Sequence, residues 1–446
     1  MNKVLTTILF LGMVVSISAT DHVMQATKAV DSRETKVDSQ LSLSLKEAQD
    51  YAVQQNRTLR NASLAVQEAY ASRWQTIASM LPQVEANASY TDYCKYSATM
   101  EMMGNAINIS MPNVAAFNLT ASVGINGQAV VGVLLNNIAI DMKKIAFEQN
   151  EIELRGNVIS AYVTVLALQG LSALLDSSLV NIEGLYAMTQ RSVEVGAAEQ
   201  TTADLIKVRV NAMKNSIETQ QNGISLATNA LKVLLNVPVE TQITLTDELK
   251  DLLSAEHILN LLGDNFNIAN NLNYQLLEKN TELAKRNVAM AGWAYGPTVS
   301  LAYQYTHQHY FEEGGFRMTP PNLVAVTLSV PLWSSGKRAA GVVEKKIAYE
   351  EAKNTLSETT ANLGIQHQQL CNNLTTTYRT YLNQVENLEV SGRVFNNMAN
   401  KFRYGVASNM ELVNASNDLI TAQSGYVNAV LDLVNAQVEL EKFLNN

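Results

Sequence analysis

Residues Tyr295–Tyr305 read YGPTVSLAYQY. A helical pattern runs into Pro297 and leaves it with a period of two. Val299, Leu301, Tyr303 and Tyr305 then share one face of a strand, and Ser300, Ala302, Gln304 and Thr306 share the other. Proline lacks an amide donor and biases its predecessor away from the α region, so it ends the helix. Residues Met80–Tyr90, MLPQVEANASY, make the same switch at Pro82, with Val84, Ala86, Ala88 and Tyr90 opposing Glu85, Asn87 and Ser89. A chain that turns helix into strand twice in the same way points to an internal duplication.

Outward from the two prolines the halves keep step. Asn56 aligns with Asn271, Ala69 with Ala284 and Pro82 with Pro297, each 215 positions apart. KKIAFEQ (143–149) echoes KKIAYEE (345–351), and VGAAEQTTADLIK (195–207) echoes YGVASNMELVN (404–414). The changing offsets place insertions between the blocks, and the strand region of the first half is the longer one. Gly405 also stands two residues closer to Glu411-Leu412 than Gly196 does to Asp204-Leu205. Each half reads as helix, strand, strand, helix, turn, helix, with return strands near 115–127 and 322–332. Ser44-Leu-Lys-Glu47 has the pattern of a capping box and opens the first helix.

The alternation would suit a soluble sandwich, but two hairpins cannot build a sandwich core alone. A membrane barrel assembled from several chains fits them better, with Val299, Leu301, Tyr303 and Tyr305 toward lipid. The proline-free stretches 133–195 and 337–404 would each reach roughly 95–100 Å as unbroken helices. In the last helix Leu412, Leu419, Tyr426, Leu433 and Leu440 recur every seven residues, with Ala415, Ala422, Ala429 and Ala436 as companions. That period signals a left-handed coiled coil. A soluble coiled-coil rod would show it too, and the strand hairpins are what separate the two readings.

The first residues, MNKVLTTILFLGMVVSISA, have the form of a secretory signal peptide ending at Ala19, and no Cys stands near that point to carry a lipid. No later stretch reads as a transmembrane helix, so entry into a membrane would require strands. With 32 Lys+Arg against 41 Asp+Glu, the acidic balance argues against nucleic acid. Cys94 and Cys371 cannot form a disulfide framework and are expected as thiols.

Chemistry is sparse. His307 and His309 share a strand face, yet an interfacial position suits them better than a metal site, and His22, His257 and His367 join no Cys-His cluster. SSGKR (334–338) lacks the spacing of a phosphate loop and reads as a strand-to-helix turn at Gly336. No nucleophile, carboxylate pair or dinucleotide fingerprint stands out, so neither enzyme activity nor a cofactor is expected.

These residues resemble the TolC family of outer-membrane efflux ducts from about Leu41 to Leu444. The marks are the duplication, LSLKEAQDYAVQQN (43–56), MLPQVEA (80–86), SVPLWSSG (329–336) and above all RYGVASNMELVNASNDLITAQ (403–423). Two departures are Arg57, where many relatives carry proline, and the longer spacing after Gly196. The resemblance implies a mainly α fold with membrane β-hairpins, built as a homotrimer. Each chain lends four strands to one 12-stranded barrel in the outer-membrane lipid, and the helices continue as a coiled-coil tunnel into the periplasm. It divides the chain into a signal peptide (1–19), a polar N-terminal segment (20–40), a first repeat (41–236), a connecting equatorial segment (237–270) and a second repeat (271–446). It also implies a periplasmic adaptor docking on Val195, Gly196, Ala197, Tyr404, Gly405 and Val406, and an inner-membrane pump of RND or ABC type. Glu411 and Asn414, with a contribution from Asp204, would line the periplasmic gate. The alternative is a periplasmic or secreted structural coiled coil without channel activity.

Overall fold

The computed structural model describes residues 40–102, 105–263, 266–311 and 320–445. The signal peptide, His22 and all of the polar segment except Gln40 lie outside the described residues. The elements, in order, are β1 (Gln40–Leu43), α1 (Leu45–Gln55), α2 (Arg57–Ala78), β2 (Gln83–Thr91), β3 (Ser97–Met102), β4 (Asn105–Ser110), β5 (Val114–Asn126), α3 (Gly127–Glu194), α4 (Gln200–Leu235), β6 (Gln242–Leu245), α5 (Leu249–Leu252), α6 (Ala255–Gly263), α7 (Leu272–Gly292), β7 (Thr298–Tyr310), β8 (Asn322–Ser329), α8 (Lys337–Arg403) and α9 (Asn409–Leu444). The chain divides into two compact units, one containing Ala65–Lys144 and Leu277–Leu356, the other Glu34–Leu64, Ile145–Leu276 and Ser357–Asn446.

The first unit holds an antiparallel sheet in the order β2-β5-β7-β8, so both repeats contribute a hairpin and β5 joins β7 across them. The strand-to-helix switches need almost no loop. Asn126 ends β5, and its side-chain oxygen accepts from the Ala129 amide at 2.7 Å, capping α3. The helix therefore starts at Gly127, six residues before the start inferred from the sequence. Gly127 is there because the Trp293 ring lies against it: a Cβ would sit 2.1 Å from that ring.

In the second unit α9 is the hub. Its Leu412, Leu419, Val427, Val430 and Val434 pack with Val163, Leu171 and Leu185 of α3, Ile206, Val210 and Met213 of α4, and Phe395 and Ala399 of α8. The leucine and alanine positions read as a coiled-coil seam are indeed its buried side, apart from half-buried Tyr426. A second cluster joins Leu43, Ala48, Ala52 and Leu59 to Val158 and Tyr162 of α3 and Leu231 and Leu235 of α4. Here β1 pairs in parallel with β6. The fully buried Tyr162 hydroxyl donates to the Leu43 carbonyl at 2.9 Å and lies 3.1 Å from the Asp247 carboxylate. That carboxylate also accepts from the Leu45 amide at 2.6 Å. Burial raises the Tyr162 pKa.

The Ser44–Glu47 capping box forms, with the Ser44 amide donating to Glu47 at 2.9 Å. Asn56 and Asn271 prove to be equivalent parts. Asn56 caps α2 through the Thr58 amide at 2.8 Å and donates to the Leu234 carbonyl at 2.9 Å. Asn271 caps α7 through the Asn273 amide at 3.1 Å and donates to the Phe443 carbonyl at 2.9 Å. Each repeat thereby ties the start of its strand-ward helix to the end of its last helix. A reciprocal pair completes each tie: Asn236 donates to the Gln55 carbonyl and Asn445 to the Asn270 carbonyl, both from left-handed backbone.

Three expectations are corrected. The first half carries an extra short hairpin, β3–β4, between β2 and β5, which accounts for its longer strand region. One helix after the N-terminal segment, α3, is long and apolar enough over an 18-residue window to cross a membrane by length and composition. Its apolar residues face several partners in turn, so no single polar stripe interrupts it, and many of them are core. Finally, α2 ends at Ala78 and α7 at Gly292, so the helices stop a turn before Pro82 and Pro297 and a tight turn or 3-10 segment leads to each proline.

Candidate functional site

The two helix–turn–helix tips share one construction. At the end of α3, the Gly196 amide bonds the Val193 carbonyl at 2.9 Å and the Ala197 amide bonds Ser192 at 2.7 Å. At the end of α8, Gly405 bonds Phe402 at 3.0 Å and Val406 bonds Lys401 at 2.9 Å. Both are Schellman caps, and they require left-handed backbone, with φ of 75° at Gly196 and 71° at Gly405. The turns occupy 195–199 and 404–408, so they are equal in length. The spacing difference seen in the sequence therefore does not lie in the turn. Superposing the glycines pairs Glu411 with Thr202, and Asp204 falls two residues further along α4, where it accepts from Gln200 at 2.8 Å. At the surface of the tips, Val195 is 78 % exposed, Tyr404 84 % and Val406 74 %.

The helices leaving the turns start differently. Ser408 caps α9: its amide and hydroxyl donate to the Glu411 carboxylate at 2.7 and 2.9 Å, and the Glu411 amide returns a bond to the hydroxyl. These bonds hold the Glu411 carboxyl below its ordinary pKa, the Ser408 backbone amide contributing most. Glu199, the cap of α4, makes no such bond. The pattern S-N-M-E (408–411) is the sequence signal of this capping box.

Glu411 also begins a stripe. Glu411, Asn414, Asp418, Thr421, Ser424, Asn428, Asp432, Asn435 and Glu439 follow each other three or four residues apart along α9, and all are exposed while the opposite side is core. No apolar or basic side chain interrupts them. The exposed side of α4 is different, with Leu205, Val208, Leu226 and Val233 open to solvent, as are Val385, Val390 and Val394 of α8.

The four-stranded sheet has two unlike faces, because directly paired residues point the same way. Val299 pairs with Ile125 and Leu328, Leu301 with Val123 and Val326, and Tyr303 with Ala121 and Val324. Val84, Ala86 and Ala88 extend this face through Ala121, Leu119 and Phe117. The other face carries Glu85, Asn87 and Ser89 beside Thr120, Asn118 and Ala116, then Gln304 and Thr306. Thr306 is buried there, donating to Asn118 at 2.9 Å. Val299 and Leu301 are exposed, Tyr303 and Tyr305 half-buried. His307 and His309 stand on the apolar face at the far end, against Tyr90 and Phe117, and His309 meets the Phe311 ring edge-on. Cys94 and Cys371 are free.

Residues 49–237 and 267–446 match the family described as outer membrane efflux protein. The probable efflux pump outer membrane protein TtgC of Pseudomonas putida is 23 % identical over 308 residues, which are 67 % of this chain and 62 % of that protein. The chain thus spans under two thirds of that relative's length. The outer-membrane channel OprN superposes with a TM-score of 0.70 at 16 % identity, covering 90 % of this chain and 89 % of the other. The outer membrane protein VceC of Vibrio cholerae does so with a TM-score of 0.70 at 15 % identity, covering 90 % and 96 %.

Proposed function

Because the chain belongs to the outer membrane efflux protein family, we propose that it is the passive outer-membrane exit duct of a tripartite efflux or type I secretion system. The observation that carries this reading is the two-faced sheet. A face that is apolar from Val299 to Tyr305, opposite a polar one, suits lipid outside and water inside. Among the described residues the sheet also ends in two unpaired edges, β2 and β8. Open edges in a membrane are costly, and a closed ring removes them. Three copies, joining β8 of one to β2 of the next, close a barrel of 12 strands, four from each chain. The exposed apolar positions on α4 and α8 supply further surface for such contacts. The repeats (41–236 and 271–446) and the connecting segment (237–270) keep the roles the family resemblance gives them.

The α9 stripe then faces the lumen, since it is the exposed helical row suited to water along its whole length. Threefold symmetry turns Glu411 into a ring of three carboxylates next to Asn414, which attracts cations at a narrow entrance. Asp204 lies outside that ring's level and adds charge only from α4. Val195, Gly196, Ala197, Tyr404, Gly405 and Val406 present the tips to an adaptor that links the duct to an inner-membrane pump of RND or ABC type. The duct works from the outer membrane into the periplasm and draws its energy from that pump.

Reconstitution in planar bilayers tests the duct. The wild type is expected to conduct, and Glu411→Gln to lose cation preference and block by trivalent cations. A soluble monomer without conductance would reject the duct in favour of a structural coiled coil. Leu301→Arg is expected to cost about 2–4 kcal/mol of insertion near the bilayer midplane, whereas Ala302→Arg, on the lumen face, leaves detergent-stable trimers. The reverse ranking would exchange the two faces.

A further inference from the structure

Leu332 and Trp333, at 89 % and 86 %, are the most exposed of the chain's large hydrophobic side chains among the described residues. Their exposure does not come from a loose turn. The Arg338 guanidinium donates to the Pro331 carbonyl at 2.6 Å and to the Ser334 hydroxyl at 3.0 Å, and lies 5.0 Å from the Tyr295 ring. The turn is thereby fastened to the junction of α7 and β7, and its two apolar side chains are held outward.

The patch continues a larger surface. Leu328 on the apolar face of β8 and Val330 just past its end, 65 % and 50 % exposed, lead into it. Beyond it the chemistry changes sign: Lys337 and Arg338 follow, and the next acid in the chain, Glu344, is bonded to Lys345 at 2.7 Å. Lys337 is exposed and has no ion pair among the described residues. An apolar wedge, then an indole, then an unneutralised cation is the order met on passing from acyl chains through the interface to lipid phosphates.

We propose that the turn Pro331–Lys337 anchors the periplasmic rim of the barrel to an anionic phospholipid, with Leu332 and Trp333 at the acyl–headgroup boundary and Lys337 on the phosphate. The inference rests on the duct reading, which places the helix-side end of the sheet at the inner leaflet. Glycerophospholipid is the occupant, because the leaflet facing the periplasm is built of it. A neighbouring copy covering the turn is the competing occupant.

The test uses the full-length protein in vesicles of phosphatidylcholine alone and of phosphatidylcholine with one quarter phosphatidylglycerol. Lipids brominated near the carboxyl end of the acyl chain should quench the part of the emission that Trp333→Phe removes, more than lipids brominated near the methyl end. Phosphatidylglycerol retained by the detergent-extracted trimer, measured by native mass spectrometry, should fall about fivefold in Lys337→Gln, as expected for one surface cation. Trp333→Ala should weaken retention of both lipids. A conducting trimer whose Trp333 emission is not quenched would overturn the anchor, with the turn buried against a neighbouring copy. Quenching with unchanged phosphatidylglycerol retention in Lys337→Gln would equally overturn it, leaving acyl contact without headgroup recognition. Absence of both conductance and lipid quenching of any tryptophan would instead reject the duct itself.

Discussion

The two repeats close their last helices alike and open them differently. At the closing end, Asn56 and Asn271 perform the same pair of tasks, and Asn236 and Asn445 answer them from left-handed backbone. At the opening end, α9 has the Ser408–Glu411 box and α4 has no side-chain cap. Duplication has therefore preserved the reciprocal asparagine bonds at this end, of which the one from Asn271 to the Phe443 carbonyl is buried and has no substitute in water. It has released the cap at an exposed tip, where solvent can satisfy the free amides of α4. The acid at the tip of α9 is thus a property of one repeat, and its first structural duty is to its own helix.

The largest effect should come from breaking the shared end. Asn271→Ala removes an N-cap and orphans the Phe443 carbonyl at a site only 3 % exposed. It should lower the unfolding free energy of the detergent-solubilised protein by about 2–3 kcal/mol. Asn56→Ala, losing the same bonds at a half-buried site, should cost about 1–2 kcal/mol. Equal losses would mean that burial does not separate the repeats.

Gly405→Val and Gly196→Val should be close to each other, at about 1–2 kcal/mol of local opening each. Open space surrounds both glycines, so the cost is one of backbone conformation alone. Amide exchange at Val406 and Ala197 reads it, and a clear inequality would show that the tips differ in the turn as well as in the cap.

Ser408→Ala should raise amide exchange in the first turn of α9 by an amount corresponding to about 1 kcal/mol, while Glu199→Ala leaves α4 unchanged. Glu199→Ser should protect α4 if the missing cap is the whole difference.

The smallest effect is one of pH. The folded pKa of Glu411 is depressed, so its contribution is complete above the ordinary glutamate value of about 4.3 and is lost as pH falls through the folded value. Protection of the amides at the start of α9, relative to their intrinsic exchange rates, should fall on acidification through that range, and Ser408→Ala should abolish the dependence. A dependence that survives Ser408→Ala would assign it to another carboxylate.

Much of this was written in the chain itself. The prolines with their alternating sequels placed the hairpins, the heptads of the last helix placed its buried side, and Gly196 and Gly405 placed the turns. In each case a local periodicity or a backbone preference acts within a few residues, so a single segment suffices to reveal it. Tertiary structure alone decided that β5 pairs with β7, that β1 joins β6, that Trp293 lies over Gly127, and that Asn236 and Asn445 reach back to Gln55 and Asn270. These contacts join residues far apart in the chain, and an asparagine that will satisfy a distant carbonyl looks the same in sequence as one that will face water. The extra hairpin β3–β4 escaped because its alternation is short and mixed. The direction of the α9 stripe escaped because a heptad specifies which side is buried, while only the partners packed on that side fix what the other side faces.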